Sequence, residues 1–414
     1  MRKIILLTVA LAFTSQAWSQ LSLEAYRNRV YAFSTELKSA EADIDRAYAD
    51  MRMAHTDFLP SLSANGSFTT DFSRKRDADL WGFTLQPQVE QVLYGGGVVR
   101  ATYRRAQDNY EYSQYKEVMQ RLNVRYAADN AYWSLSAMKL YVAATEEYVG
   151  FIRSLYGIVE ERYREGYVAK EDLLKVMASL SEAQYSQISL QNNYEVALHR
   201  FNTMLGREGS TEVELANSIV DSISMPRRIS IEEMLVRRPD MQMAMLAIRV
   251  AEQGVRVARA QYNPRLTAGL RGSWQTYNPN SSGKTYVDGA LVVGLNVPIF
   301  HWGERRQAVN KARTAVRIAE NDIEQLRRDA AQEEADGWSA LTNSYSQMRS
   351  SIKNLEIASE NLSLSTYAYK EGQVTILSVL QAQISWLQIY TNAITARYNY
   401  AVAVSGYMRL AAIE

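Results

Sequence analysis

The stretch of sequence that decides the fold is YREGYV at residues 163–168, which recurs as YKEGQV at residues 369–374, 206 positions later. Gly97 and Gly303 are separated by the same 206 positions, whereas Pro60 and Pro264 are separated by 204. Similarity at a nearly constant spacing indicates a duplicated unit. The two-residue difference arises between residues 64 and 97, where a loop is expected. The 414-residue chain is therefore interpreted as a tandem repeat.

Both halves have the same predicted order of elements: a helix, two strands, a very long helix, a glycine turn and a returning helix. Pro60 and Pro264 end the first helices, because proline disfavours helix in the residue before it. Gly166 and Gly372 end the long helices, because glycine readily takes the left-handed conformation that reverses a helix. The predicted ranges are helix 22–57, strands 61–93, long helix 98–162 and a return to 205 in the first half, and helix 239–261, strands 266–299, long helix 304–367 and a return to 408 in the second.

Three further boundaries follow from this order. Ser230, three residues before Glu233, predicts a capping box that opens a short helix. Pro239 suits the first position of the next helix, and Asp240 suits its positive end. The predicted domains are a first repeat at residues 20–209, an irregular polar linker at 210–230 and a second repeat at 231–414.

Residues 1–19 have the pattern of a secretory signal peptide. Arg2 and Lys3 precede the apolar stretch 4–13, and Ala17 and Ser19 are the small residues expected before cleavage at Gln20. A membrane-spanning helix needs about 20 apolar residues, so this stretch is too short to be one. We therefore expect the mature chain to begin near residue 20.

Composition excludes several classes of protein. A net charge of +1 does not suggest a nucleic-acid partner, whose binding face is strongly basic. The chain has no cysteine, which excludes disulfides, thiolate metal sites, cysteine nucleophiles and a lipid-modified cysteine. Its three histidines show no ligand or triad spacing, and no phosphate loop is visible. We expect no catalytic, cofactor or metal site, and no enzyme.

The four strand segments alternate between apolar and polar residues. Period-two alternation over about ten residues, with aromatics near the ends, is typical of transmembrane barrel strands. The alternative is a soluble sandwich with one buried face. Thr84 and Gln275 are predicted to face a polar lumen. The residues predicted to face lipid are Phe68, Trp81, Phe83, Leu270, Trp274, Leu291 and Val293.

Four strands cannot close a barrel, and an open strand edge in lipid leaves backbone groups unpaired at a cost of several kcal/mol each. Copies of the chain must then share their strands. Two copies would form an eight-stranded barrel filled by its own side chains, whereas three or more would enclose water. A continuous helix of about 65 residues would extend about 100 Å, so it must pack in coiled-coil fashion against its neighbours. The predicted fold is mainly α, with a transmembrane β part.

The chain resembles the TolC-type outer-membrane efflux proteins over nearly all of its mature length. The motifs that carry the resemblance are RRPD at residues 237–240, A-x-x-x-Y-x-P-x-L at 258–266 and Y-x-x-G-x-V-x-x-x-x-V-L at 369–380. The resemblance implies a homotrimer with a twelve-stranded barrel in the outer membrane and an α-helical tunnel in the periplasm. It also implies a periplasmic adaptor protein and an inner-membrane pump of RND or ABC type. We expect the exit duct of a tripartite efflux pump for small molecules; the alternatives are a duct for type I protein secretion and a structural coiled-coil protein without a channel.

The glycine turns are then the tunnel tips, and their flanking residues are candidates for adaptor docking. These candidates are Tyr163, Glu165, Val168, Glu371 and Val374. Family members often carry acidic residues inside the second tip, but Ser378 and Gln381 occupy the matching positions here, so we expect no acidic ring at the entrance. Asp172 matches a position that can hydrogen-bond the tyrosine equivalent to Tyr369 and help to close the mouth; otherwise it is an exposed aspartate at a helix start.

Overall fold

The computed structural model describes residues 20–70, 81–276 and 285–413. The predicted signal peptide, residues 1–19, lies outside them. The first half contains helices α1 (Leu23–Phe33) and α2 (Thr35–Thr56), strands β1 (Ser61–Thr70) and β2 (Trp81–Gly95), and helices α3 (Val98–Arg164) and α4 (Lys170–Met204). The second contains helices α5 (Ile231–Arg237) and α6 (Pro239–Ala260), strands β3 (Arg265–Gln275) and β4 (Tyr286–Asn296), and helices α7 (Glu304–Lys370) and α8 (Ile376–Leu410).

The helices confirm the duplication. α3 and α7 each contain 67 residues, and α4 and α8 each contain 35. Ser230 caps α5 by accepting the backbone N–H of Glu233 at 3.2 Å, and Pro239 is the first residue of α6, as predicted. Even the longest of the helices described here lacks an apolar stretch sufficient to cross a membrane.

Two predicted elements differ from the observed ones: the first helix is interrupted, and the last strand is shorter. The first helix was predicted to be continuous over 22–57, but Ser34 has an extended ψ of 117° and separates α1 from α2. The ring of Phe33 lies so close to Gly206 that a side chain at Gly206 would collide with it, so a tertiary contact accompanies the break. The last strand was predicted to reach residue 299 but ends at Asn296. Pro298 has no N–H to donate to a ladder, which explains the shorter strand.

The four strands form one antiparallel sheet in the order β1-β2-β3-β4. The two halves of the chain meet in the β2–β3 pair, where Val89 lies opposite Leu270. The pairing shifts by one residue between Val92 and Tyr94. β1 and β4 are the edges of the sheet among the described strands.

Two compact units divide the chain by its contacts. The first contains residues up to 35, 121–229 and 333–414, and the second contains 36–120 and 230–332. The second unit therefore holds the whole sheet together with α2, α5, α6 and the nearer parts of α3 and α7. Within it, Arg249 of α6 binds Asp108 and Glu111 of α3, and Lys116 of α3 binds Asp43 of α2 at 2.8 Å.

The predicted linker is held firmly within the first unit. Leu21 forms a β-bridge with Leu215, and the Tyr132 hydroxyl donates to the Leu21 carbonyl at 2.8 Å. The Tyr407 hydroxyl accepts the backbone N–H of Ile229 at 3.2 Å. Buried tyrosines thus satisfy the backbone groups of this irregular segment, as burial requires.

Candidate functional site: an apolar sheet face and two tip hairpins

The register of the sheet places all seven predicted lipid-facing residues on one face. Directly opposed residues of antiparallel strands project to the same side of a sheet. Phe68 lies opposite Phe83, Val89 opposite Leu270, and Leu270 opposite Leu291. Thr70 likewise lies opposite Trp81, Leu85 opposite Trp274, and Ala268 opposite Val293. We call this side the apolar sheet face.

The apolar sheet face is exposed in the isolated chain. Leu291 retains 73% of its accessible surface, and the aromatic rings contact mainly each other, with Phe83 and Trp274 at a centroid separation of 5.8 Å. A soluble sandwich would cover this face with a second sheet, but the described residues form a single four-stranded sheet. An exposed apolar surface of this extent marks a contact with lipid or with another protein.

The opposite face of the sheet is polar. Thr84 lies directly opposite Gln275, so the two residues predicted to face a lumen lie side by side. Gln88 lies opposite Arg271, and Ser273 opposite Asp288. The two faces therefore differ clearly on β1, β2 and β3, and more weakly on β4, where Ala290, Val292 and Gly294 lie on the polar side.

The two glycine turns have the same geometry. Gly166 has φ 83° and Gly372 has φ 75°, both in the left-handed region. Gly166 donates its N–H to the Tyr163 carbonyl while Tyr167 donates to Arg162, five residues back, which is the Schellman pattern of a helix end. Gly372 and Gln373 repeat both bonds. A side chain would meet no atom within 4 Å at either glycine, so the backbone conformation, and not crowding, favours glycine there.

The structure places the predicted tip residues on two hairpins, residues 163–175 and 369–381, which we call the tip hairpins. The exposed members are Tyr163, Glu165, Glu371, Ser378 and Gln381, whereas Val168 and Val374 pack against the core that α3, α4, α7 and α8 form in the first unit. The first hairpin is charged: Lys175 binds Glu171 at 2.8 Å, and this bond lowers the pKa of the Glu171 carboxyl. On the second hairpin, the Ser378 hydroxyl lies 3.3 Å from the Thr375 hydroxyl, and the Ser378 backbone N–H donates to the Thr375 carbonyl at 3.1 Å.

Within one chain, the structure does not contain the hydrogen bond between Asp172 and Tyr369, one of the two alternatives for Asp172. Tyr369 is only 4% exposed, and its hydroxyl has no hydrogen-bond partner among the described residues. Burial raises the pKa of this hydroxyl. The Asp172 carboxylate instead lies 3.7 Å from the ammonium group of Lys175, its neighbour on the next turn of α4.

Arg162 makes the connection that Asp172 does not make. Its guanidinium donates to the backbone carbonyls of Tyr369 at 3.2 Å and Lys370 at 2.7 Å, and it lies 5.1 Å from the centre of the Tyr369 ring. The last carbonyls of a helix have no partner within that helix. Arg162 therefore caps the end of α7 from the end of α3. In the sequence, the only indication of this cap is that a basic residue, Arg162, directly precedes YREGYV.

A cavity of about 600 Å³ lies beside the tip hairpins, within the first unit. Phe151 of α3, Leu362 and Tyr367 of α7, and Trp386 of α8 line it. The Trp386 indole N–H donates to the Ser359 hydroxyl at 3.1 Å, so the ring is held by a polar contact at its edge. The sequence analysis missed this cavity, because its lining combines α3 with α7 and α8, which lie about 200 residues further along the chain.

No group of three or more histidine and acidic residues with metal-binding geometry exists among the residues that the structure describes. His301 does have a carboxylate nearby, contrary to the spacing argument: its Nδ1 lies 3.7 Å from Glu304. This contact joins residues three apart at the start of α7, a single pair and not a constellation of ligands.

Comparison with known proteins identifies relatives for both halves. The family model described as "Outer membrane efflux protein" matches residues 27–207 and 230–411. The chain is 26% identical over 389 residues to the pyoverdine export outer membrane protein OpmQ of Pseudomonas aeruginosa, covering 89% of this chain and 80% of that protein. It is 23% identical to the outer membrane protein TolC of Vibrio cholerae, and the match covers 98% of this chain and 94% of that protein. The crystal structure of the outer membrane protein VceC from Vibrio cholerae superposes with a TM-score of 0.79 at 18% identity, covering 95% of this chain and 97% of that one.

Proposed function

The chain belongs to the outer membrane efflux protein family and is an efflux channel of the outer membrane, and we propose that three copies of it form the exit duct of a tripartite pump. In this proposal the three sheets close a twelve-stranded barrel in the outer membrane, and the helices form a tunnel in the periplasm. Small molecules enter from a periplasmic adaptor and an inner-membrane pump of RND or ABC type. In this proposal each copy contributes two repeats, 20–209 and 231–414, joined by the linker 210–230; the match of the family model to residues 27–207 and 230–411 supports this division.

The apolar sheet face carries this proposal. A four-stranded sheet with one exposed apolar face and two unpaired edges is unstable as an isolated element in lipid, since each unpaired backbone group costs several kcal/mol. Closure with other copies removes both edges. Three chains with four strands each provide twelve strands, which enclose a lumen lined by the polar face.

The helices of the first unit offer contacts for the same assembly. α4 exposes Leu174, Met177, Tyr185, Ile188 and Val196, whose positions lie within about 100° on a helix of 3.6 residues per turn. An exposed apolar stripe of this kind requires a partner.

α7 exposes two further apolar residues on one face, Ile357 and Leu364, which we call the α7 stripe. In a ring of three copies, different surfaces of neighbouring chains meet at each interface. We therefore assign the α4 and α7 stripes to contacts between copies.

The tip hairpins and the neighbouring cavity are the surfaces that we assign to the adaptor. Tyr163, Glu165 and Glu371 project from the two turns, and the cavity lined by Phe151, Tyr367 and Trp386 lies next to them. An aromatic-lined groove between helices suits the apolar face of a partner helix. Ser378 and Gln381 are exposed, so these two positions, where the predicted entrance would carry acidic side chains, are uncharged.

The test is the mass and the conductance of the purified protein. Native mass spectrometry in detergent is expected to yield three times the subunit mass, and planar bilayers are expected to show discrete channel openings. A monomer that keeps its full strand content in lipid would overturn the assembly. A trimer that never conducts, even when the tip is opened by substitution at Arg162, would favour the structural coiled-coil alternative.

Cargo separates the two kinds of duct. Cells that lack the protein are expected to accumulate small toxic compounds and to regain efflux when it is restored. Secretion of a protein, with unchanged efflux of small molecules, would instead favour the type I secretion alternative.

A further inference from the structure

The corner between β4 and α7, residues 297–302, exposes several large apolar side chains to solvent. Ile299 is 92% exposed, Trp302 is 91% exposed, and Phe300 is also exposed. The rings of Phe300 and Trp302 contact each other edge to face, with a centroid separation of 4.9 Å. We call residues 297–302 the corner segment.

The duplication reveals what is unusual about Trp302. Its counterpart 206 positions earlier is Gly96. Gly96 has φ 65°, and Trp302 takes nearly the same left-handed conformation, with φ 46°. Left-handed φ is uncommon for a residue with a bulky side chain. Strained backbone of this kind is concentrated at functional sites, and here the side chain at the strained position projects into solvent.

The corner segment continues the apolar sheet face. Val293 and Leu295 lie on that face, and Val297 and Ile299 follow at the same spacing of two residues. An eleven-residue strand is about 36 Å long, and a tilt of about 40° reduces its vertical span to about 28 Å. This is close to the apolar band of a barrel, about 25 Å tall. Asn296, the last residue of β4, therefore falls at the edge of the hydrocarbon region, and the corner segment falls in the headgroup region.

Basic residues follow at once on α7. Arg305 and Arg306 lie within about 3 Å of the helix start at 1.5 Å per residue, whereas Arg313 and Arg317 lie about 14 Å and 20 Å along it. All four side chains are exposed. Screening in physiological salt acts over about 8 Å, so only the first pair is near enough to interact strongly with the headgroups.

We propose that the corner segment and Arg305–Arg306 bind the inner-leaflet surface of the outer membrane, with a preference for anionic phospholipid. Ile299, Phe300 and Trp302 lie at the boundary between headgroups and acyl chains, where aromatic side chains concentrate in membrane proteins. Arg305 and Arg306 bind lipid phosphates. The inference rests on the proposed function, because it requires the apolar sheet face to be in lipid.

Cysteine labelling tests the location, since the natural chain has no cysteine. Ile299→Cys carries a nitroxide while Phe300 and Trp302 stay in place, in protein reconstituted into phospholipid nanodiscs. We expect high accessibility to oxygen and low accessibility to a water-soluble nickel complex. Leu291→Cys is the control for insertion of the sheet, and Thr84→Cys is the control for the lumen.

The controls separate the two proposals. If the label at Leu291 is not in lipid, the proposed barrel fails. If Leu291 is in lipid but the label at 299 is water-accessible, only this inference is overturned. Strong spin coupling between labels at 299 would place a second copy of the chain on the corner segment, which also overturns it.

Lipid preference is tested with a fluorophore at Ile299→Cys and brominated lipids. We expect brominated phosphatidylglycerol to quench it at least twofold more than brominated phosphatidylcholine. Arg305→Gln with Arg306→Gln should abolish this difference, and the matched pair Arg313→Gln with Arg317→Gln should keep it. Equal quenching by both lipids in the natural background would overturn the preference for anionic lipid.

Discussion

The apolar sheet face and the tip hairpins are both exposed in the single chain, but for different reasons. On the sheet, residues such as Leu270 and Leu291 have no apolar partner on their outer side, so the surface depends on what surrounds the protein. At the tips, each turn satisfies its own backbone through Schellman bonds, and Arg162 caps the end of α7. The sheet therefore needs lipid, and the tips form stable turns within one chain.

This difference indicates where substitutions should act. A change on the apolar sheet face should alter insertion and the free energy of unfolding. A change at the tips should alter mainly the local opening of the hairpins, with little effect on assembly. The expected outcomes below test that division, from the largest effect to the smallest.

Leu291→Arg is expected to destabilise the protein in lipid by about 2–4 kcal/mol, because a cation near the middle of the bilayer loses its hydration. Thr84→Arg, on the polar face of the same sheet, should have a much smaller effect. Unfolding by urea in phospholipid vesicles measures both. Equal tolerance at the two positions would mean that the faces are assigned wrongly.

Arg162→Ala is expected to lower the free energy of local opening of the tip hairpins by about 2–3 kcal/mol, since hydrogen bonds to a charged group contribute about 1.5–3 kcal/mol. Hydrogen exchange in the last turn of α7 should become faster, and channel openings more frequent. The control is Arg164→Ala, whose partner is Glu160 on an exposed surface; surface pairs contribute about 0–1 kcal/mol. If both variants behave alike, Arg162 does not hold the hairpins together.

Ser378→Asp combined with Gln381→Asp should create a carboxylate ring in the trimer and make the channel sensitive to multivalent cations. We expect the concentration for half-maximal block by a trivalent cation to fall about tenfold, or about 1.4 kcal/mol in binding. Single-channel recording measures this change. Tight block of the natural channel at micromolar concentrations would contradict the position predicted for these residues.

Gly372→Ala is expected to lower the free energy of unfolding by about 1 kcal/mol, because the left-handed φ of this position is unfavourable for alanine. Gly150→Ala is the matched control in a helix interior, where the same change should stabilise by about 0.4–1 kcal/mol. No atom lies within 4 Å of the added carbon at either position, so the comparison isolates the backbone. Thermal unfolding in detergent measures both.

Tyr369→Phe is expected to change the free energy of unfolding by less than about 0.5 kcal/mol, because the hydroxyl that it removes has no described partner. Asp172→Ala should be similarly mild, since its described contact is with the half-exposed Lys175. Channel opening frequency measures the effect at the tip. A large rise for either variant would restore the hydrogen bond that the sequence predicted.

Several features were predictable from the sequence because they depend on local order. Alternation with a period of two places Leu270 and Trp274 on one side of β3, and Leu291 and Val293 on one side of β4, since side chains along a strand alternate sides. Glycine at 166 and 372 marks the helix ends, because few other residues take the required φ. The capping serine and first-turn proline of α5 and α6 follow the same local logic.

The features that were missed depend on residues that are distant in the chain. The break at Ser34 accompanies the contact of Phe33 with Gly206, and the pairing of Arg162 with the end of α7 joins residues more than 200 positions apart. The cavity beside the tips is lined from three helices. No periodicity in the sequence marks such contacts.

By itself, the sequence determined the duplication, the type and order of the elements and the two faces of the sheet, because each follows from the spacing of residues that are near in the chain. Only the tertiary structure decided which side chain connects the hairpins. A motif can place Asp172 and Tyr369 near the same turn, but hydrogen bonds require contact within about 3.5 Å and a suitable angle. Helix packing buried the Tyr369 ring beneath Arg162 and left Asp172 beside Lys175.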